Sequence, residues 1–79
     1  MERLQNLLLL LVRPIVDEPE RVEVAASESE NRVDLALTVA PDDVGKVIGR
    51  GGRTIRAIRT VVKAASVNAG KRVNVEVSD

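Results

Sequence analysis

Val47-Ile48-Gly49-Arg50-Gly51-Gly52-Arg53-Thr54-Ile55 decides how this 79-residue chain is read. Three glycines, two arginines and a threonine stand between two apolar anchors, Val47-Ile48 before them and Ile55 after. Upstream, Asp42 or Asp43 is a plausible N-cap for a short helix from Val44 to about Ile48. Downstream, Ile55, Ile58, Val62 and Ala65 recur at helical spacing, which predicts a longer helix from about Arg53 to Asn68, stopped by Asn68-Ala69-Gly70. A glycine-rich connection that opens a helix has a physical use. First-turn amides lack intrahelical partners, the helix dipole makes that end attractive to anions, and a missing Cβ lets a phosphate approach the backbone. Taken alone the tetrapeptide is weak, because ordinary helix-turn-helix connections use glycine too.

The flanking segments supply context. Leu4, Leu7, Leu8 and Leu11 lie at helical spacing between Glu2 and about Arg13, and Pro14 marks that helix's end. Ile15 and Val16 continue the apolar surface before the acidic Asp17-Glu18-Pro19-Glu20. Val22 and Val24 alternate with Arg21 and Glu23, and Val33, Leu35, Leu37 and Val39 alternate with polar or small residues. The polar stretch Ser27-Glu28-Ser29-Glu30-Asn31 between them reads as the turn of an antiparallel hairpin. Val73, Val75 and Val77 form a last alternating strand. The predicted order, α-β-β-α-α-β, is a two-layer α+β sandwich with a three-stranded sheet covered on one face by helices.

Composition excludes much. The chain has no cysteine and no histidine, which removes disulfides, thiolate or histidine metal sites and Ser-His-Asp triads. No metal and no cofactor are expected. The apolar run Leu7 to Val12 is too short to span a membrane and lacks a following cleavage site, so the expectation is a cytoplasmic protein without membrane insertion. Seventy-nine residues make one domain, 1–79.

Net charge is zero, but it is segregated. Residues 1–43 carry four arginines against ten carboxylates. From Val44 to Val75 stand eight cations and no acid: Lys46, Arg50, Arg53, Arg56, Arg59, Lys63, Lys71 and Arg72. Such a one-sided block is the electrostatic footprint of polyanion binding, although an arginine-rich solvated helix face would look the same.

With its helical flanks, the opening nonapeptide resembles the VIGxxGxxI signature of KH domains, whose loop clamps about four backbone nucleotides. A helix and a strand ahead of the motif resemble the type II order. Asn6-Leu7-Leu8, Val12-Arg13-Pro14, Asp43 to Arg50 and Gly52 to Thr60 are similar to the small single-KH proteins of bacteria, the KhpA (YlqC) family, across essentially the whole chain. That resemblance implies an RNA chaperone acting with a larger KH/R3H partner of the KhpB (Jag) type and influencing cell-envelope synthesis and cell length. It also implies that Gly49, Arg50, Gly51 and Gly52 hold phosphates, with Val47, Ile48 and Ile55 as the apolar floor beside the bases or the core beneath it. Gly51 departs from the common pattern, in which a second basic or polar residue stands there, and should loosen the loop.

Arg53, Arg56, Arg59 and Lys63 share one side of the long helix, and Lys46 lies at the same edge. The absence of aromatic residues removes base stacking of about 1–3 kcal/mol per base, so one copy should bind single-stranded RNA weakly and loosely. A second stripe, Ala57, Val61, Ala64 and Asn68, together with Leu9 and Leu10, reads either as packing between two helices or as a dimer face. Rival readings remain. No Gly-x-x-x-x-Gly-Lys-Ser/Thr or Gly-x-Gly-x-x-Gly is present, and the carboxylates around Asp42-Asp43 look like solvated turns and caps, so catalysis is not expected. A KH fold serving only as a protein-interaction module, or a single-stranded-DNA binder, stays open.

Overall fold

Alternating branched residues build the sheet. In the computed structural model, which describes residues 2–67 and 70–79, β1 (Glu23–Glu28), β2 (Arg32–Thr38) and β3 (Arg72–Ser78) form one three-stranded sheet. β2 is central, antiparallel to β1 (Glu28 opposite Val33) and parallel to β3 (Val33 opposite Val73). A hairpin can join antiparallel neighbours, but the parallel pair needs a crossover. The crossover is the helical segment that carries the glycine loop.

Helices α1 (Glu2–Val12), α2 (Val44–Ile48) and α3 (Arg53–Ala65) all cover one face of the sheet. Val33, Leu35, Leu37, Val73 and Val75 point into that layer, against Leu4, Leu8 and Val12 of α1 and Ile55, Ile58 and Val62 of α3. The opposite face carries Arg32, Asp34, Asn74 and Glu76, as the period-two pattern requires.

The elements agree with the expected order, and the differences have local causes. Pro14 converts the end of α1 into a 3-10 turn over Arg13–Ile15. Val16 packs against the core, but Ile15 is exposed. β1 runs on through Ser27 and Glu28, which the sequence places in the turn. Their backbone pairs with Asp34 and Val33, and Ser29 N–H donates to Arg32 O across a shorter turn. Alternation read from side chains misses such polar strand ends, because ladder bonds do not depend on side-chain polarity. α3 ends at Ala65, and the predicted end at Asn68, with its Asn68-Ala69 stop, lies outside the described residues. Gly70, at φ +68°, precedes β3.

The core stripe also shifts. Ala65 is exposed, and Ser66, whose Oγ donates to Lys63 O, takes the buried position. Leu9, expected away from the core, packs partly against it, whereas Leu10 is 72% exposed. Edge strands leave unpaired backbone groups that need partners. Gln5 Nε2 donates to Val24 O on β1, and Arg59 Nε donates to Val75 O on β3.

Candidate nucleic-acid interface

Two helices meet at the loop because the chain, three residues after β2 ends at Thr38, reaches Pro41, whose fixed φ starts a 3-10 turn over Pro41–Asp43. α2 follows immediately and lasts only five residues, since Gly49 ends it with φ +75° and ψ 172°. The loop, Arg50–Gly52, is a tight turn closed by Gly52 N–H on Gly49 O, and Arg53 N–H on Arg50 O leads into α3.

Glycine is required at Gly49 for two reasons. Its φ is unfavourable for any L side chain, and a Cβ there would stand 2.2 Å from Thr54 Oγ1 and 2.9 Å from the Thr54 backbone nitrogen. Thr54 therefore packs directly against Gly49, a contact visible only once the turn is folded. Gly51 is different: at φ +65° it is left-handed, yet a Cβ would meet nothing within 4 Å. Side chains are sterically possible there, as the resemblance implies, at the cost of left-handed strain.

Arg56, one turn into α3, reaches back to this loop. Its Nη2 donates to Gly51 O at 2.9 Å and its Nε to Gly52 O at 3.3 Å. The cation thus satisfies two carbonyl oxygens of the loop. Among the described residues no side chain caps α3, whose N-cap is Gly52; of its first-turn amides, that of Arg53 donates to Arg50 O. Arg50 and Arg53 are exposed, and among the described residues neither has a carboxylate at ion-pair distance.

The other predicted residues are distributed by the fold. Val47 is fully buried and Ile55 nearly so, making them core beneath the loop, while Ile48 and Gly49 are half-buried at its edge. Arg59 lies between α3 and β3 on Val75 O, 3.1 Å away. Lys46 is tied by Nζ to Asp17 Oδ2 and to Asp43 Oδ1, so much of its charge is answered within the protein.

Asp43 corrects the picture of a solvated cap. It is 1% exposed, and its carboxylate makes no capping bond to α2. Instead Oδ1 and Oδ2 accept the backbone N–H groups of Asp17 and Glu18, each at 3.1 Å. Burial pushes its carboxyl upward, but those two donors and Lys46 outweigh burial and hold it below the usual carboxylate range. The Asp17 contact lifts Lys46 above the ordinary lysine value in turn, against partial burial, with Asp43 adding to the lift. The knot pins the segment after α1 to the start of α2, and with it the loop. The acidic run 17–20 opposite a lysine was the only hint of it in the sequence.

On the other side, Ala57 and Ala64 are exposed with Val61 at 44%, and Leu10 of α1 shares a shallow groove with Ala65; Asn68 lies outside the described residues. Among the described residues no group of three or more carboxylates could hold a metal ion, and no helix is long and apolar enough to cross a membrane.

Comparison with known proteins places this geometry. Residues 5–77 match the family described as KhpA/KhpB, KH domain. The chain is 42% identical over 78 residues to the RNA-binding protein KhpA of Bacillus subtilis, covering 99% of this chain and 96% of that one. It is 47% identical over 74 residues to the RNA-binding protein KhpA of Clostridium acetobutylicum, covering 94% and 99%. Among solved structures, a crystal structure of Aquifex aeolicus Era matches with a TM-score of 0.65 at 17% identity, over 96% of this chain and 28% of that longer one, a likeness of fold.

Proposed function

We propose that this chain, which belongs to the KhpA/KhpB KH-domain family, binds single-stranded RNA as one KH domain spanning residues 1–79. The observation that carries the reading is the uncapped start of α3 beside a loop free of Cβ obstruction at Gly51 and Gly52, flanked by exposed Arg50 and Arg53. Phosphates sit against the loop. Arg53 and Arg56 extend the basic track along α3, and Arg59 stands between that track and β3. Ile48, half-buried at the rim, gives the bases an aliphatic surface. Specificity comes from hydrogen bonding of unstacked bases between the helices and β3, and it is loose, because no aromatic platform is available.

The test replaces Arg50 and Gly51 with aspartate. Aspartate tolerates the left-handed conformation of Gly51 better than most residues, so the circular dichroism melt stays near wild type. Fluorescence anisotropy with labelled single-stranded RNA falls to baseline; retained binding places the site elsewhere. The same titration with DNA of equal sequence reads the 2′-hydroxyl contribution.

Family resemblance supports a wider role: a cytoplasmic RNA chaperone that works with a larger KH/R3H partner and influences cell-envelope synthesis and cell length. The exposed Leu10, Val61, Ala57 and Ala64 support self-association, which would link two weak sites. Analytical ultracentrifugation that finds only monomer at tens of micromolar removes the dimer.

A further inference from the structure

The eight cations between Val44 and Val75 do not form one patch. Arg50, Arg53 and Arg56 gather around the loop and Lys46 is turned to Asp17 and Asp43, whereas Lys63, Lys71 and Arg72 stand at the far end of α3. Along the axis of α3 ten residues, about 15 Å, separate Arg53 from Lys63. At that far end Arg32, from the acidic half of the chain, joins them. Together they line an open depression of about 980 Å³ between the β1–β2 turn, the last turn of α3 and the start of β3.

Among the described residues no carboxylate lines this depression. Two of its cations are partly answered, Lys71 by Glu28 and Arg32 by Asp34, and Glu30 stands in the adjoining turn. Lys63 and Arg72 are exposed, and among the described residues neither has an ion-pair partner. A helix C-terminus attracts cations by itself, but its dipole is worth only about half a charge, which one lysine satisfies. Lys63 and Arg72 together exceed that need. The stripe Arg53, Arg56, Arg59 and Lys63 runs along one side of α3 from the loop to this end.

We propose that the depression is a second contact for the RNA backbone, reached by the same strand after it leaves the loop. This rests on the RNA-binding reading above and extends it. The loop clamp accounts for about four nucleotides, and a second contact about 15 Å further along α3 lengthens the footprint beyond them. Lys63 and Arg72 neutralise phosphates there, with Ser29 and Asn31 as neutral hydrogen-bonding groups at the rim.

The test pairs strand length with charge. Wild type, Lys63→Glu/Arg72→Glu and Lys63→Gln/Arg72→Gln are titrated with labelled RNA of about four and about twelve nucleotides, lengths chosen around the loop footprint. Both double variants lose roughly tenfold or more on the long strand, with the log–log salt slope shallower by about 1.4, and bind the short strand as wild type does. The glutamine pair guards against a misfolded charge reversal. Unchanged affinity for the long strand, equal loss on both lengths, or displacement of the long strand by an acidic peptide at matching concentration overturns the second contact alone. A flat wild-type titration on both lengths sinks the RNA-binding reading and the second contact with it.

Discussion

The guanidinium of Arg56 donates to the carbonyl of Gly51 at 2.9 Å, reaching back across the first turn of α3. A cation that the sequence offers as a candidate phosphate contact is a clamp on the loop's own backbone. Arg56→Ala and Arg56→Lys separate the two roles. Lysine keeps the charge but cannot make the two-point contact with Gly51 and Gly52. Both variants are expected to melt within about 0.5 kcal/mol of wild type, since Arg56 is exposed. RNA affinity falls severalfold in both, and hydrogen exchange of the loop amides speeds up in both. Full affinity in Arg56→Lys would mean that only the charge matters.

Gly49→Ala and Gly51→Ala should part company in a thermal melt. At Gly51 the new methyl meets nothing, and the cost is the left-handed backbone, roughly 1–2 kcal/mol. At Gly49 it collides with Thr54, including the backbone nitrogen 2.9 Å away, so overpacking of roughly 1–3 kcal/mol is added. Thr54→Ala does not rescue Gly49→Ala, because the Thr54 Cβ and backbone nitrogen remain too close. Equal melting temperatures for the two glycine variants would contradict this packing.

Asp43 makes stability sensitive to acid. Its folded carboxyl titrates below the ordinary aspartate value, because the Asp17 and Glu18 amides and Lys46 outweigh its burial. The stabilisation is therefore complete above the unfolded pKa of about 3.9 and drains away as pH falls below it through the folded value. Glu28, lowered by its hydrogen bond and charge contact with Lys71, acts in the same direction. Lys46 is raised, so its contribution holds below the ordinary lysine range and is lost above it. Denaturation midpoints across the acid range should decline for wild type and flatten for Asp43→Asn, which is less stable at neutral pH. An identical acid slope in the two proteins would assign the effect to other carboxylates.

Salt dependence reports how many cations meet phosphate at the loop. Five such contacts on a single strand would give a slope near −3.5 in a plot of log affinity against log salt. Lys46 already faces Asp17 and Asp43, leaving Arg50, Arg53, Arg56 and Arg59, and a four-nucleotide RNA is expected near −2.8. Lys46→Ala leaves that slope in place, and Arg50→Ala reduces it by about 0.7. A slope that falls with Lys46→Ala would show that RNA displaces the carboxylates.

Burial of Leu8 on all sides makes it the most informative core position on α1. Leu8→Ala should cost about 2–5 kcal/mol, a large share of the roughly 5–15 kcal/mol that holds a natural domain folded. Urea unfolding followed by circular dichroism measures it. Leu10→Ala, on the exposed side of the same helix, is expected to leave the midpoint nearly unchanged.

Periodicity was enough for the element order, the hairpin, the helix-covered face and the glycine loop, because each depends on residues a few positions apart in the chain. Val33 to Val39 and Ile55 to Val62 carry those patterns openly. Relations between distant segments had no such signature. That β3 runs parallel to β2, that Asp43 is buried under Asp17 and Glu18, and that Ser66 replaces Ala65 in the core were settled by packing. So was the meaning of the cations: one basic block in the chain became a loop cluster, a clamp on Gly51, a strand-edge contact at Val75 and a separate group at the far end of α3. A charge reads the same in sequence wherever it stands, and its partner is whatever carbonyl, carboxylate or open solvent the folded backbone brings within reach.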